Sequence, residues 1–416
     1  MLSCMSHADG TISTLSNERA RRLRSLDAFR GLTIAAMLIV NNPGTWEHVY
    51  PPLRHAPWHG CTPTDLIFPF FLFIVGVSIA FSHRLDARSV AFLKIGKRAA
   101  TLILIGLAMN LLTVLLRGDT TLAAWRLPGV LQRIGVCYGV VALAQVLGHS
   151  NQQRLGRWPL AFVFEVSTVL GVLIAYAWML RSVAAPGSGA DPLSMEGNIV
   201  AYVDRLILGA GHMYRSGLHD PEGLLSTLPA ICTTFIGVWV GRWLRAGQLG
   251  LRSAVVAALM GGVLVACGLA WNVMVVLGVP LNKELWTSSY VLFTAGWAII
   301  GLSICMMAWD VWGCAGGWKR TRFLLRSVMV VAEVMGRNAM VAFVGSGVLA
   351  RLLGAIRIGE SSPDGKAISL GRWLYEHCFA HPEQPELGSL LYALAMLGVW
   401  CAVLLVLERK RWYWKV

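Results

Sequence analysis

The stretch DLIFPFFLFIVGVSI (Asp65–Ile79) decides the fold of this chain, and its only charge is Asp65 at its first position. About 20 such residues cross the hydrocarbon core of a bilayer as a helix. The whole chain has the same character, because 56% of its 416 residues are hydrophobic, 14% are charged, and the mean hydropathy is +0.60. Soluble domains carry roughly 25% charged residues. The composition therefore excludes an ordinary soluble enzyme.

Similar apolar runs lie on both sides of this stretch. Together they predict ten spans, near residues 28–46, 65–82, 99–116, 128–147, 159–180, 224–243, 253–277, 287–309, 328–350 and 387–407. The 43 Gly and 17 Trp agree with this interpretation, since membrane helices use Gly at close crossings and Trp at the headgroup level. We predict an all-α fold, a polytopic transmembrane helical bundle. Residues 1–416 form a single domain, with residues 1–25 as a cytoplasmic tail.

The Lys and Arg residues alternate between the two sides of the predicted membrane. The side that includes the Arg cluster at residues 19–24 carries about twice as many as the other, so the positive-inside rule places both termini in the cytoplasm. The same bias explains the net charge of +14 without a nucleic-acid partner. No small-residue cleavage site follows the first apolar run, so we expect no secretory signal. If the chain is bacterial, it is a multi-pass protein of the cell inner membrane.

Polar residues collect where the first two spans approach the outer side. Asn41 ends the first span, His55 lies in the connecting loop, and Asp65 opens the second span. A His, an amide and a carboxylate at one rim are suited to proton transfer, with His as base, Asp as its orienting partner and Asn polarising a carbonyl. The alternative is a set of solvated loop residues. We predict no metal site, because Pro57 disfavours the helix that would align His55 with His59.

Three arginines, Arg30, Arg133 and Arg337, lie within predicted spans, where ionisable groups are costly and need partners. Arg30 follows Asp27 by three residues, so it either pairs with that carboxylate or binds a phosphate. Arg133, which follows Gln132 in the fourth span, either pairs with Asp65 or binds an anionic or carbonyl group of a ligand.

Two later segments also place polar residues at or inside the membrane. VPLNKELWTSSY holds Asn282, Lys283 and Trp286 at the outer rim, where Trp and Lys are also common as interface anchors. GRNAM holds Arg337 and Asn338 in mid-span, which predicts a polar interior contact. The nine Cys show no CxxC or zinc spacing. Cys61 and Cys378 on the outer side either pair or stay free thiols.

Seven segments in order resemble the heparan-α-glucosaminide N-acetyltransferase family, a group of membrane acyltransferases. They are SLDAFRG, RHAPWHG, DLIFPFFLFIVGVSI, LPGVLQRIGV, DPEGLLST, VPLNKELWTSSY and GRNAM. The resemblance implies transfer of an acetyl group from cytoplasmic acetyl-CoA to the amine of a glucosamine-type sugar on the far side. It also suggests a homodimer. The family's catalytic His corresponds to His55 and its functional Asn to Asn41.

The resemblance extends to the other polar positions and has two departures. The residues we expect to bind substrate or acetyl-CoA are Asp65, Gln132, Arg133, Asn282, Lys283, Trp286, Asn338 and Arg30. The lysosomal members carry a large luminal domain before the first shared span, which we do not expect in this protein, and His59 stands where they have a polar amide. The acceptor-facing parts therefore differ.

The residues suit this role chemically. A protonated amine cannot attack a thioester, and neutral imidazole has the basicity to deprotonate it. His55 either takes the acetyl group first or deprotonates the amine in a ternary complex; we favour the ternary route, which exposes no acyl-imidazole to water. Two alternatives remain, an O-acyltransferase of envelope polysaccharide and a transporter that uses intramembrane charges. The chain lacks the internal repeats that transporters often show.

Overall fold

The computed structural model of the chain is nearly all helical. It describes residues 23–82, 88–118, 122–155, 158–214, 217–247, 250–312, 323–360 and 367–414. Its α-helices, numbered in chain order, are α1 Arg24–Asn41, α2 Ile67–Phe81, α3 Arg88–Leu116, α4 Val130–Leu155, α5 Trp158–Ser182, α6 Ile199–Leu208, α7 Thr227–Ala246, α8 Leu251–Val273, α9 Ser288–Cys305, α10 Phe323–Arg337, α11 Ala339–Ala355, α12 Leu370–Cys378 and α13 Pro385–Arg409. A short antiparallel hairpin, β1 Arg357–Glu360 and β2 Ala367–Ser369, follows α11.

Seven of the described helical segments are long and apolar enough to cross a membrane: Pro63–Phe81, Val90–Leu116, Val130–Gly148, Leu160–Ser182, Leu251–Val273, Ser288–Trp312 and Pro385–Arg409. The bent pair α10–α11 gives an eighth candidate. Helices α1 and α7 cover two further predicted spans, but they are less apolar than these candidates. Helix α1, for example, contains three charged residues, Arg24, Asp27 and Arg30. The predicted class, a polytopic helical membrane bundle, is therefore confirmed, while the count of ten spans stays a prediction.

The predicted span at residues 328–350 is not one continuous helix. Two helical segments, Ser327–Arg337 and Ala339–Ala355, meet there at 84°. The break falls at Asn338, whose φ of −113° and ψ of 29° are not helical. Just before it, Gly336 packs against α1 so closely that a Cβ would lie 1.7 Å from the carbonyl oxygen of Asp27. The hydropathy of the run does not show this bend. Non-helical backbone at membrane depth is tolerated where it is buried in protein, and the average hydropathy of a segment does not report that burial.

The helices pack in pairs through small residues, as the glycine content predicts. Helices α2 and α7 cross where a Cβ on Gly76 would lie 2.0 Å from the Thr234 carbonyl oxygen, and one on Gly237 would lie 2.2 Å from that of Phe73. Such crossings bring backbones together and gain dispersion contacts that lipid does not provide. The same pair carries the largest apolar core, which includes Leu72 and Phe73.

The loop between α1 and α2 folds back over one end of the bundle. We call the end where α1 begins the inner end, predicted to be cytoplasmic, and the opposite one the outer end. Two 3₁₀ turns, Pro51–Leu53 and Pro63–Leu66, shape the loop at the outer end. The Gly60 amide donates to the Leu281 carbonyl (2.7 Å), and the Tyr290 hydroxyl donates to the Asp65 carbonyl (2.6 Å). These bonds bring the loop against the segment before α9.

Candidate active site

His55 and Asp65 form a hydrogen-bonded pair in this loop. The His55 Nδ1 atom lies 2.6 Å from Asp65 Oδ1. The carboxylate is buried, whereas the imidazole is 43% exposed. The second carboxylate oxygen accepts hydrogen bonds from the Ala56 amide (3.0 Å), the Thr62 amide (3.1 Å) and the Thr62 hydroxyl (3.0 Å). Asp65 is therefore held rigidly as an acceptor at the first turn of its helix.

Lys283 completes the cluster from the segment before α9. Its Nζ lies 3.1 Å from His55 Nδ1 and 3.6 Å from Asp65 Oδ1. The ammonium and the imidazole thus share one carboxylate.

The hydrogen bonds also select the tautomer of His55. An ionised carboxylate can only accept hydrogen bonds, so we assign the proton on His55 to Nδ1, which donates to Asp65 Oδ1. The 3.1 Å approach of Lys283 Nζ to Nδ1 is then a contact between two donors and not a hydrogen bond. The other ring nitrogen, Nε2, then has a free lone pair. This is the arrangement by which a carboxylate orients a general base in acyl-transfer sites. The cluster can remove a proton from a nucleophile that approaches from the exposed side of the ring.

Neighbouring loop residues are less suited to this chemistry. Burial lowers the pKa of His59, although Asp191 opposes the shift. Its Nδ1 lies 3.3 Å from the Asn282 side-chain nitrogen. Burial, and then the Asp65 charge, raise the pKa of the Cys61 thiol to about 12. Cys61 therefore stays protonated near neutral pH and is a poor nucleophile.

Arg133 does not form the ion pair with Asp65 that one of our two interpretations expected. It is buried, and its Nη2 donates to the Gly223 carbonyl (3.0 Å) and the Ser226 hydroxyl (2.5 Å). The guanidinium also lies 5.1 Å from the centre of the Trp286 ring. Lys283, not Arg133, supplies the nearby positive charge because the loop folds toward α9 and not toward α4.

Arg133, Trp286 and Tyr290 connect the site to the core. Trp286 is buried in an unusual backbone conformation with a φ of 51°. Its indole nitrogen donates to the Thr233 hydroxyl (3.2 Å), and its ring meets that of Tyr290 edge to face at 5.4 Å. Tyr290 in turn holds the Asp65 backbone. Trp286 therefore supports the His55 cluster through Tyr290. Among the described residues, no hydrogen bond or ion pair joins Arg133 or Trp286 to His55 directly.

Asn41 and Gln132 line a separate cavity of about 300 Å³ in the outer half of the bundle. The other polar side chains around it include Asn42, Asn110 and Arg351. The structure gives no direct contact between Asn41 and His55. The two residues assigned to catalysis from the sequence thus occupy different parts of the outer end, Asn41 at the cavity and His55 in the loop.

Arg30 lines a second cavity, of about 420 Å³, in the inner half. It both pairs with Asp27 (3.0 Å) and donates to the Ser78 hydroxyl (3.0 Å). Two more guanidinium groups, those of Arg98 and Arg337, face the same cavity. Arg337 pairs with Glu408 at 2.8 Å. Sequence reasoning missed Arg98, because the predicted span began at residue 99 whereas α3 begins at Arg88.

Asn338 lies at the start of α11 and is fully buried. Neither its side-chain oxygen nor its side-chain nitrogen has a hydrogen-bond partner among the described residues. Its sequence neighbours Arg337 and Ala339 both line the inner cavity. A buried amide without partners is costly unless a ligand or water satisfies it, so the placement is compatible with the ligand-binding role expected from GRNAM.

Within the described residues, no group of three or more His, Cys, Asp or Glu side chains is arranged to hold a metal ion. Cys61 and Cys378 are both free thiols.

The fold and this cluster together define a class: a polytopic helical membrane protein with a carboxylate-oriented histidine at one end of its bundle. Comparison with known proteins shows what the chain is similar to. A family model described as heparan-alpha-glucosaminide N-acetyltransferase, catalytic, matches residues 22–188, a region that contains SLDAFRG, RHAPWHG and LPGVLQRIGV. The chain is therefore related to this acetyltransferase family, and the resemblance seen in its motifs is confirmed.

Two curated relatives extend the similarity over most of the chain. The heparan-alpha-glucosaminide N-acetyltransferases of Homo sapiens and Mus musculus are 28% and 27% identical to it, over 95% of this chain. The matched regions cover 60% and 61% of the relatives' own lengths. The chain thus spans about three fifths of the proteins it resembles.

Proposed function

We propose that this protein transfers an acetyl group from acetyl-CoA, bound from the cytoplasmic side, to the amine of a glucosamine-type sugar on the periplasmic side. The observation that carries the proposal is the His55–Asp65–Lys283 cluster, because it leaves Nε2 of an exposed imidazole free to accept a proton. The names of the related proteins support the acetyl donor class and the amine acceptor.

His55 acts as the general base of this reaction. The acceptor enters as an ammonium ion and must lose one proton before its nitrogen has a lone pair. Attack on the thioester carbonyl forms the C–N bond, and the second proton leaves the nitrogen for His55 Nε2. Collapse then breaks the C–S bond, and the proton on His55 reaches the departing CoA thiolate. The products are the N-acetyl sugar and CoA, with one net proton released, and Asp65 stabilises the transient imidazolium.

The inner cavity is suited to the CoA phosphates. Three arginines, Arg30, Arg98 and Arg337, face it. Among the described residues, two carboxylates pair with them: Asp27 with Arg30 and Glu408 with Arg337. The first residues of α11 also line it, and the free amides of a helix N-terminus attract phosphate. The local charge therefore favours an anion, as the phosphate interpretation of Arg30 proposed.

Helices α1, α3, α4 and α11 each contribute residues to both cavities. On α1, Arg30 lines the inner cavity and Met37 and Asn41 line the outer one, at spacings that place all three on one face. Arg30 and Asn41 are separated by about 16 Å along the helix axis. We propose that the pantetheine arm follows this face outward. Asn41 then polarises the thioester carbonyl and Gln132 contacts the arm.

The test is an assay of CoA release. Purified protein in proteoliposomes receives acetyl-CoA on one side only and glucosamine on the other, and free thiol and N-acetylglucosamine are both measured. We expect both products from wild type and neither from His55→Ala. Glucose in place of glucosamine separates N-acetylation from O-acetylation. CoA release that depends on glucose and not on glucosamine would make the protein an O-acyltransferase. Absence of release with either acceptor would refute the proposal.

A further inference from the structure

A second imidazole–carboxylate pair lies beside the His55 cluster. His219 Nε2 is 3.3 Å from Glu284 Oε2, and the edge-to-face contact between the His219 and Trp58 rings has a centroid separation of 5.1 Å. The pair is largely shielded, since the His219 and Glu284 side chains are 21% and 17% exposed. The mechanism above uses none of these three residues.

Two of these side chains, Trp58 and Glu284, are close in the chain to members of the His55 cluster. Glu284 directly follows Lys283, whose ammonium contacts His55. Trp58 follows His55 by three residues in the same loop, and its indole nitrogen donates to the Leu193 carbonyl at 2.8 Å. The indole is therefore fixed in orientation. The cluster of Trp58, His219 and Glu284 is called the outer subsite below.

The outer subsite contains polar atoms with unused bonding capacity. Glu284 Oε2 and His219 Nδ1 are both shielded from solvent. Among the described residues neither accepts or donates a hydrogen bond, and the 3.3 Å contact of Oε2 with His219 Nε2 is an ion-pair contact only. Asp65 differs, because hydrogen bonds from His55, Ala56 and Thr62 already saturate it. A shielded carboxylate with an incomplete set of donors favours a cationic donor. Lys283 does not serve this purpose, since its ammonium is directed to Asp65 and His55.

We propose that Glu284 binds the ammonium group of the acceptor, with Trp58 and His219 forming the walls of the outer subsite. This inference rests on the proposed function and assigns its acceptor position. An ammonium–carboxylate contact is a charge-assisted hydrogen bond, and an indole adds both cation–π attraction and apolar surface for a sugar ring. The acceptor is then held in the outer subsite until its ammonium group loses the first proton and the nitrogen can attack. A neutral hydroxyl in the same place gains no charge interaction, so Glu284 selects amines over alcohols.

The test measures acceptor binding directly, by calorimetry on the CoA-loaded protein. Wild type, Glu284→Gln and Glu196→Gln are each titrated with glucosamine and with glucose. Glu196 is an exposed carboxylate of the outer loops, so its variant is the matched control. Hydrogen bonds to charged groups contribute roughly 1.5–3 kcal/mol, which corresponds to about a 10- to 100-fold weaker Kd for glucosamine in Glu284→Gln. Glucose affinity and CoA affinity stay unchanged.

The outcomes separate this inference from the proposed function. Equal glucosamine affinity in wild type and Glu284→Gln, or no glucosamine binding by wild type, would overturn the assignment of Glu284. A parallel loss of glucose affinity would do the same, because it indicates a distorted pocket. If binding depends on Glu284 while wild type releases no CoA, the subsite stands and the proposed reaction fails. If CoA is released with unchanged acceptor affinity in the variant, the reaction stands and the subsite fails.

Discussion

Replacing Asp65 with Asn tests the geometry of the base most directly. The Ala56 amide, the Thr62 amide and the Thr62 hydroxyl all donate to one oxygen of Asp65, while the other faces His55 Nδ1. An Asn side chain has only one carbonyl oxygen. Because three donors converge on one side, the oxygen turns toward them and the NH₂ group turns toward His55.

The NH₂ group then donates to His55 Nδ1 and forces the ring proton onto Nε2. The imidazole keeps its position but loses the lone pair that the reaction needs. The wrong tautomer costs roughly 10⁴-fold in kcat in a carboxylate-oriented base, which is about 5 kcal/mol of activation free energy. We therefore expect Asp65→Asn to retain the fold and acetyl-CoA binding while CoA release falls by about that factor.

The assay compares kcat for CoA release, with glucosamine as acceptor, in wild type, Asp65→Asn and Glu47→Gln. Glu47 is an exposed carboxylate of the same loop, so Glu47→Gln controls for the loss of one negative charge. Thermal midpoints with and without acetyl-CoA check folding and donor binding. A kcat within tenfold of wild type in a well-folded Asp65→Asn variant would refute the assignment of the tautomer and of His55 as the base.

Three further predictions concern the base, the buried arginine and a shielded carboxyl group. His55→Ala loses roughly 10²- to 10⁴-fold in kcat, whereas His59→Ala changes it only a few-fold; a reversed order shows that the wrong histidine was chosen. Arg133→Ala leaves a cavity beneath Trp286 and lowers the free energy of unfolding by roughly 2–5 kcal/mol without ligand, whereas Arg98→Ala keeps the ligand-free melting midpoint and loses stabilisation by CoA. Burial raises the pKa of Asp204 to about 6, so the folded state holds the carboxyl proton more tightly than the unfolded state does. The contribution of this carboxyl group to the free energy of unfolding therefore falls as pH rises from about 4 to above 6. At pH 7.5 the free energy of unfolding of Asp204→Asn is therefore higher than that of wild type by about 3 kcal/mol, and its melting temperature is higher. Near pH 4 the variant shows no gain.

The candidate site was predictable residue by residue but not as a set of partners. His55, Asp65 and Lys283 each stand out in the sequence, because a polar residue at the rim of an apolar run needs an explanation. Their mutual contact joins positions 228 residues apart. From the sequence, Arg133 was the expected partner of Asp65 in one of two interpretations, and Lys283 was placed only at the outer rim. Depth in the membrane does not say which helices are neighbours, so sequence alone did not identify Lys283 as the partner.

The membrane bundle itself followed from the sequence, since the free energy of placing a segment in lipid depends mainly on that segment's own composition. The motifs around His55 and Asn338 could likewise be recognised as candidate site segments from the sequence. Only the tertiary structure decided the break between α10 and α11, the two cavities along α1, and the contacts of His219 with Trp58 and Glu284. These features depend on which faces pack together. That packing is set by close contacts between distant segments, such as Gly336 against Asp27, which hydropathy does not encode.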